Sequence, residues 1–405
     1  MKKNLLMSTV ILFVCASLCL ASTTRKNTLG SCPILPDGAD LAKYVSELGI
    51  NPNRISLTLP DAARLTLKSP FFGLIQSISV KGLDNNLIPS VSIAKSINDN
   101  VRLGLGFNLA VNTVTDLENK TGTKVTQIAK EGTLNYGLIT GFGYSDDVKN
   151  ILVGLKLKMR DTGITETQSG EKALNTKKEY QSGNEGIEIN ARCLKVHDTN
   201  KKIGLAVSFE TTDLSKKSVY TNFLVADKAE YEIKNKEKID NITSKLEIAP
   251  GIIAQINENT TVVLNPGISS VATKITSLNG IENGGMYTDD ATNITTNKTD
   301  LNIVNRVGVE SKLVKNLKAR FGINSVYTFN TTKTETKVKG LDTTVNTTKT
   351  AALKTVNTTI GIGYTIGQLF IDVNLNKALF TNGLYIINGV TTTPFSTAVS
   401  LAYKF

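Results

Sequence analysis

Phe395 to Phe405 reads FSTAVSLAYKF. Taken two at a time, Phe395, Thr397, Val399, Leu401, Tyr403 and Phe405 form one row, large and mostly apolar. Ser396, Ala398, Ser400, Ala402 and Lys404 form the other, small or polar. Period-two alternation marks a strand with one greasy face and one wet face. Much of the chain upstream repeats it.

Val101, Leu103, Leu105, Phe107, Leu109 and Val111 alternate with Arg102, Gly104, Gly106, Asn108 and Ala110. Residues 134–144 and 151–160 do the same, with Gly141, Gly143, Lys156, Lys158 and Arg160 on the second row. The pattern returns at 203–209, 301–313, 317–329, 356–366 and 369–375. Each run has about the ten residues that a tilted strand needs to cross the apolar band of a bilayer. Six connections are short and polar: 98–100, 146–150, 197–201, 257–259, 315–316 and 367–368. Between them lie long stretches rich in Thr, Asn, Lys and Gly, at 114–133, 162–184, 213–242, 277–299, 332–351 and 380–394. Short and long connections alternate, as in barrels with tight turns at one end and long loops at the other. The pattern predicts an all-β antiparallel transmembrane barrel, with fourteen strands as the first reading in a range of twelve to sixteen. Sixteen requires Arg54 to Leu59 and Arg64 to Lys68 to join the wall.

Met1-Lys2-Lys3 and the apolar run from Leu5 to Leu20 read as a signal peptide over residues 1–21, cut after Ala21. No later stretch holds eighteen uninterrupted apolar residues, so an exported chain of this kind spans a membrane only as a closed barrel. The full sequence carries 46 basic and 35 acidic residues, for +11; loss of Lys2 and Lys3 leaves +9. Only Cys32 and Cys193 remain beyond residue 21, which is no disulfide framework. Residues 22–70 hold five of the nine prolines and read as an N-terminal plug or periplasmic segment, with the barrel over 71–405.

The chain ends aromatic-x-aromatic on Tyr403-Lys404-Phe405. This resembles the terminal strand of bacterial outer-membrane β-barrel proteins, whose insertion machinery reads that signal. The resemblance covers about residues 71–405. It implies an outer-membrane location, with Tyr403 and Phe405 as the insertion signal and the insertion machinery and outer-membrane lipid as partners. Fourteen strands with an N-terminal plug also resemble the long-chain fatty-acid and hydrocarbon transporter family in architecture. The Asn-Pro-Ala-type segment that usually marks that family's N-terminus is absent.

Enzyme chemistry finds little purchase. His197 is the only histidine and falls in a short turn, without the Ser and Asp partners of a hydrolase relay or clustered metal ligands. Gly141-x-Gly143 and Gly361-x-Gly363 lie mid-strand and open no helix, so they are no phosphate loop. No cofactor and no nucleic-acid partner is expected. If the large apolar row faces lipid, Arg102, Lys156, Lys158, Arg160, Arg192, Arg306, Lys312, Lys318 and Arg320 face the lumen, with Glu188, Glu210, Glu247, Glu310 and Asp372. The balance is basic, and fixed positive charge in a wet pore favours anions; pairing with neighbouring carboxylates is the competing reading. Pro250-Gly251 and Pro266-Gly267 fall about equally far from the 257–259 turn, which places them opposite each other in one hairpin. Proline removes a ladder donor, so a bulge or bend in the wall follows there. Lys95 lies on the outward row near a turn, placed to snorkel. Few aromatics and no tryptophan leave a thin aromatic girdle.

The leading functional expectation is a porin-like channel for small solutes, with an anion preference. The alternatives are a transporter of hydrophobic molecules with a plugged lumen and a side opening at Pro250 and Pro266, or a non-transporting surface-binding protein. The oligomeric state is not legible.

Overall fold

The computed structural model describes residues 25, 29–36, 43–44, 46–47, 54–59, 62–68, 74–80, 89–121, 124–168, 176–181, 185–213, 216–226, 229–283, 286–288, 293–338, 341–378 and 396–404. The expected signal peptide, Phe405 of the expected insertion signal, the 380–394 stretch and the side chain of Arg160 lie outside what is described.

Twenty strand segments make one sheet. They are β1 (Arg54–Leu59), β2 (Ala62–Lys68), β3 (Leu74–Val80), β4 (Pro89–Ser96), β5 (Val101–Thr121), β6 (Lys124–Ser145) and β7 (Lys149–Gln168). Next come β8 (Thr176–Gln181), β9 (Gly186–Asp198), β10 (Lys201–Asp213), β11 (Lys216–Ala226), β12 (Ala229–Asn257), β13 (Thr260–Leu264) and β14 (Gly267–Asn283). The chain finishes with β15 (Met286–Thr288), β16 (Asn293–Val314), β17 (Leu317–Lys337), β18 (Thr344–Ile366), β19 (Leu369–Ala378) and β20 (Ser396–Lys404). Every pairing is antiparallel, and β20 returns to β1, with Arg54 opposite Lys404 and Leu57 opposite Leu401. The sheet is therefore a closed barrel with no free edge.

Four wall strands are each described as two segments: β8 with β9, β10 with β11, β13 with β14, and β15 with β16. The circuit then has sixteen wall strands among the described residues. The two beyond fourteen are β1 and β2, which pair with each other, with β20 and with β3. The barrel thus begins at Arg54, inside the 22–70 stretch that the proline content assigns to a separate segment.

All six short turns stand where the polar connections predict them. Asn98 Oδ1 accepts from the backbone N–H of Asn100 and Val101, at 3.0 and 2.7 Å. Asp198 and Asn257 do the same two residues on, and Gly367 takes φ +57°. These side chains stand in for backbone partners that a tight turn cannot supply. Asp146 accepts from the Tyr144 hydroxyl and from the Lys149 and Val148 N–H groups, which hold its carboxyl below the usual range.

The long connections differ from expectation. Residues 114–121 and 124–133 continue β5 and β6, and 293–299 belong to β16. β16, β17 and β18 run for 22, 21 and 23 residues. At roughly 3.3 Å per residue each spans about 70 Å, well past an apolar band of about 25 Å. The outward row explains why. On β17 it is apolar from Leu317 through Phe321 and Tyr327 to Phe329, then turns to Thr331, Lys333 and Glu335. Beyond the band both faces are wet, while the backbone ladder continues.

Inside the band, alternation sorts the side chains as expected. Leu103, Leu105, Ile203, Leu205, Ile248, Ile303, Ile360 and Ile362 are exposed on the outside. The intervening residues are buried on the inside, as the burial of β9 and β16 illustrates. The aromatics are few but placed at the borders: Phe107, Tyr136, Phe209, Tyr327 and Phe329 toward the long strands, Tyr144, Tyr364 and Tyr403 beside the short turns. Tyr327 and Phe329 meet edge to face at 5.0 Å.

Candidate functional site

The inner wall is covered by the N-terminal segment. Leu29, Cys32, Ile34 and Leu35 form a buried cluster with Leu194 of β9, Ala206 of β10, Ala249 of β12 and Val263 of β13. Inner glycines make the room. A Cβ on Gly308 would lie 2.8 Å from the Leu29 carbonyl oxygen, and one on Gly251 would lie 2.6 Å from Ile34 Cδ1. Gly204 faces Ile34, Gly143 faces Ser46 and Gly154 faces Lys43 in the same way. Tyr44 is buried with its ring 5.2 Å from the Arg192 guanidinium, and Arg192 Nη1 donates to the Leu35 carbonyl at 3.2 Å.

The basic residues predicted for the lumen do face inward, and most are held by carboxylates. Glu310 accepts from Arg25 Nε at 2.9 Å, Arg25 Nη2 at 3.3 Å, Arg320 Nε at 2.7 Å and Lys318 Nζ at 3.2 Å. Arg320 also donates to Asp372. Arg306 Nη2 donates to Glu247 at 2.5 Å. Lys158 bridges Glu188 and Glu210. Arg102 stands 3.7 Å from Glu47 of the N-terminal segment. Lys156 is half-buried on the same row, and Lys312 is exposed next to a short turn. Arg102, Arg306 and Arg320 are each less than a tenth exposed, so these are interior ion pairs and not a water-facing basic lining.

The proline pairs come together across the wall. In the β12–β13–β14 hairpin, Ile252 pairs with Leu264 and Ile248 with Ile268, which brings Pro250 opposite Pro266. The ladder breaks between them at Asn265 and Pro266. Asn265 repairs part of the loss: its buried Nδ2 donates to the Ala249 and Pro250 carbonyls at 3.2 and 2.6 Å, and its N–H bonds the Arg306 carbonyl. Directly behind this window sits Ile34, against Gly251.

Strand phase puts Arg102, Lys158, Arg306, Lys318 and Arg320 on the inner row, and the hairpin register sets Pro250 opposite Pro266. Sequence reasoning misses Arg25, which pairs with a residue 285 positions away and has no local signal. It also misses Asn265 as the residue that mends the window, although Asn before Pro in a strand is a readable cue. Tyr403 is exposed on the outer face beside the short turns.

No family model and no curated protein sequence matches the chain. Among solved structures, it is similar to the Pseudomonas putida toluene transporter TodX, at 13% identity and a TM-score of 0.44, covering 94% of this chain and 97% of that one. It is similar to the Ralstonia pickettii toluene transporter TbuX, at 13% identity and 0.42, covering 94% and 98%. A Pseudomonas aeruginosa FadL homologue gives 12% identity and 0.41, covering 96% and 99%. These identities are too low to transfer a cargo.

Proposed function

We propose that the protein is an outer-membrane transporter whose lumen is closed by its N-terminal segment, and whose cargo is an apolar or amphipathic small molecule that leaves sideways through the wall at Pro250 and Pro266. One observation carries this reading. The apolar cluster of Leu29, Cys32, Ile34 and Leu35 packs directly behind the interrupted ladder of β12, β13 and β14. A dry patch therefore joins the lumen to the lipid face at the one place where two opposed prolines break the wall, a path that suits cargo unwilling to enter water. The porin-like reading, with an anion preference set by basic residues, is less well supported, because Arg102, Arg306 and Arg320 are buried beside carboxylates. The apolar outer band favours a membrane setting, and the sequence signals at both chain ends favour the outer membrane.

The test closes the window. In a Cys32→Ser, Cys193→Ser background, Ile252→Cys with Leu264→Cys pairs two outward positions across the seam. Proteoliposomes with the oxidised pair should take up a hydrophobic fluorescent solute more slowly than the reduced form, with uptake restored by a thiol reductant. Equal uptake in both states, or a steady anion-selective current through the unmodified protein in a planar bilayer, would overturn the proposal.

A further inference from the structure

On the outer face of β4–β7 lies an apolar trough of about 560 Å³. Its origin is a short side chain in a long row. Ile93, Leu105, Thr140 and Leu155 are neighbours across four strands, and Thr140 is the short one. Backbone at Gly104 and Gly141 lines the floor. Leu103, Phe142 and Val153 continue the wall toward the short turns and are all exposed. The volume falls within the roughly 300–1,000 Å³ of small-ligand sites. Yet the trough opens outward, on the face turned to lipid, and β9 and β10 separate it from the Pro250 window. It is not the transport path.

Lys95 also lines the trough. It sits opposite Leu103, one residue before the end of β4 and the turn at 97–100. Among the described residues no acidic side chain pairs with it. A lone cation at the turn end of an apolar furrow has the chemistry of a phospholipid in reverse: a site for an anionic head at the membrane surface and a bed for an acyl chain below it. A lysine there reaches the headgroup level by extending its stem along apolar surface, and anionic lipid attracts it.

We propose that this trough holds one anionic glycerophospholipid of the leaflet next to the short turns, with an acyl chain over Thr140 and the phosphate on Lys95. The proposal rests on the membrane-spanning fold and is independent of the cargo.

The experiment is native mass spectrometry of the mature protein released from neutral detergent, with phosphatidylglycerol or phosphatidylcholine added. One phosphatidylglycerol should stay bound at collision energies that strip phosphatidylcholine. Lys95→Gln should cut that retention about fivefold, the worth of one lysine near an anionic surface. Thr140→Leu fills the furrow and should remove the tightly held lipid. Lys195→Gln changes another outward lysine near a short turn and should leave retention as it was. Equal retention by the unmodified protein and Lys95→Gln would overturn the proposal, as would full retention by Thr140→Leu or an equal loss with Lys195→Gln. Heat-dependent gel mobility establishes that each variant is a folded barrel.

Discussion

Glu310 carries more of the interior electrostatics than any other single residue. Three cations converge on it, and Asp372 shares Arg320. The wall alone brings Lys318 and Arg320 against Glu310 and Asp372, which balance. Arg25 is the surplus charge, and it belongs to the N-terminal segment. Two substitutions should therefore behave differently. Glu310→Gln leaves Arg25, Lys318 and Arg320 with Asp372 as the one remaining carboxylate of the cluster and is expected to cost about 3–5 kcal/mol, the usual penalty for breaking a buried pair from one side. Arg25→Ala leaves a balanced wall and should barely move barrel stability. It should instead expose the N-terminal segment to faster proteolysis. The measurements are the temperature of the heat-dependent gel shift and the rate of limited digestion. A large stability loss from Arg25→Ala would refute the asymmetry. The row of basic residues is legible from strand phase, because phase sets the face. The partner of each one is not, since pairing depends on register between strands and on a segment hundreds of residues away.

At the level of the strand and hairpin, the short turns and the opposed prolines are readable because their causes are local. Asn98, Asp146, Asp198 and Asn257 satisfy their own turn backbones, and equal spacing from a turn puts Pro250 across from Pro266. The upper strands are not readable. Residues 114–121, 124–133, 277–283 and 293–299 lose the apolar alternation where lipid ends, yet the ladder of backbone hydrogen bonds persists without regard to side chains. Periodicity reports which faces are dry, so a strand wet on both sides looks like a loop. Asn265 is the element-level test. Its side chain serves two carbonyls beside a proline that has no N–H to offer. Asn265→Ala should destabilise the barrel by about 1–3 kcal/mol, the cost of leaving buried acceptors unpaired. Faster hydrogen exchange confined to β12, β13 and β14 is the accompanying sign. A stability equal to the unmodified protein would mean that water replaces the amide.

For the molecule as a whole, the described part of the N-terminal segment and the inner wall fit each other. Inner glycines 143, 154, 204, 251 and 308 each face a residue of the N-terminal segment. Deletion of residues 22–47 spares β1 and should turn a closed barrel into a conducting one, seen as a rise in single-channel current in a planar bilayer. Gly308→Val should do so partially, by pushing on the Leu29 backbone. Unchanged current in both, with folding intact, would show that the lumen is closed by something else. By itself the sequence determined that this chain is an all-β barrel, where its tight turns fall, which row of each strand faces out and which hairpin sets two prolines opposite each other. Those properties follow from nearest-neighbour periodicity and from the backbone limits of Asn, Asp, Gly and Pro. Only the tertiary structure decided that β1 and β2 complete the wall, that Arg102, Arg306 and Arg320 lie buried beside carboxylates, and that Leu29, Ile34 and Tyr44 pack against the inner face. Those facts rest on closure of the sheet and on contacts between residues far apart in the chain, for which local pattern carries no signal.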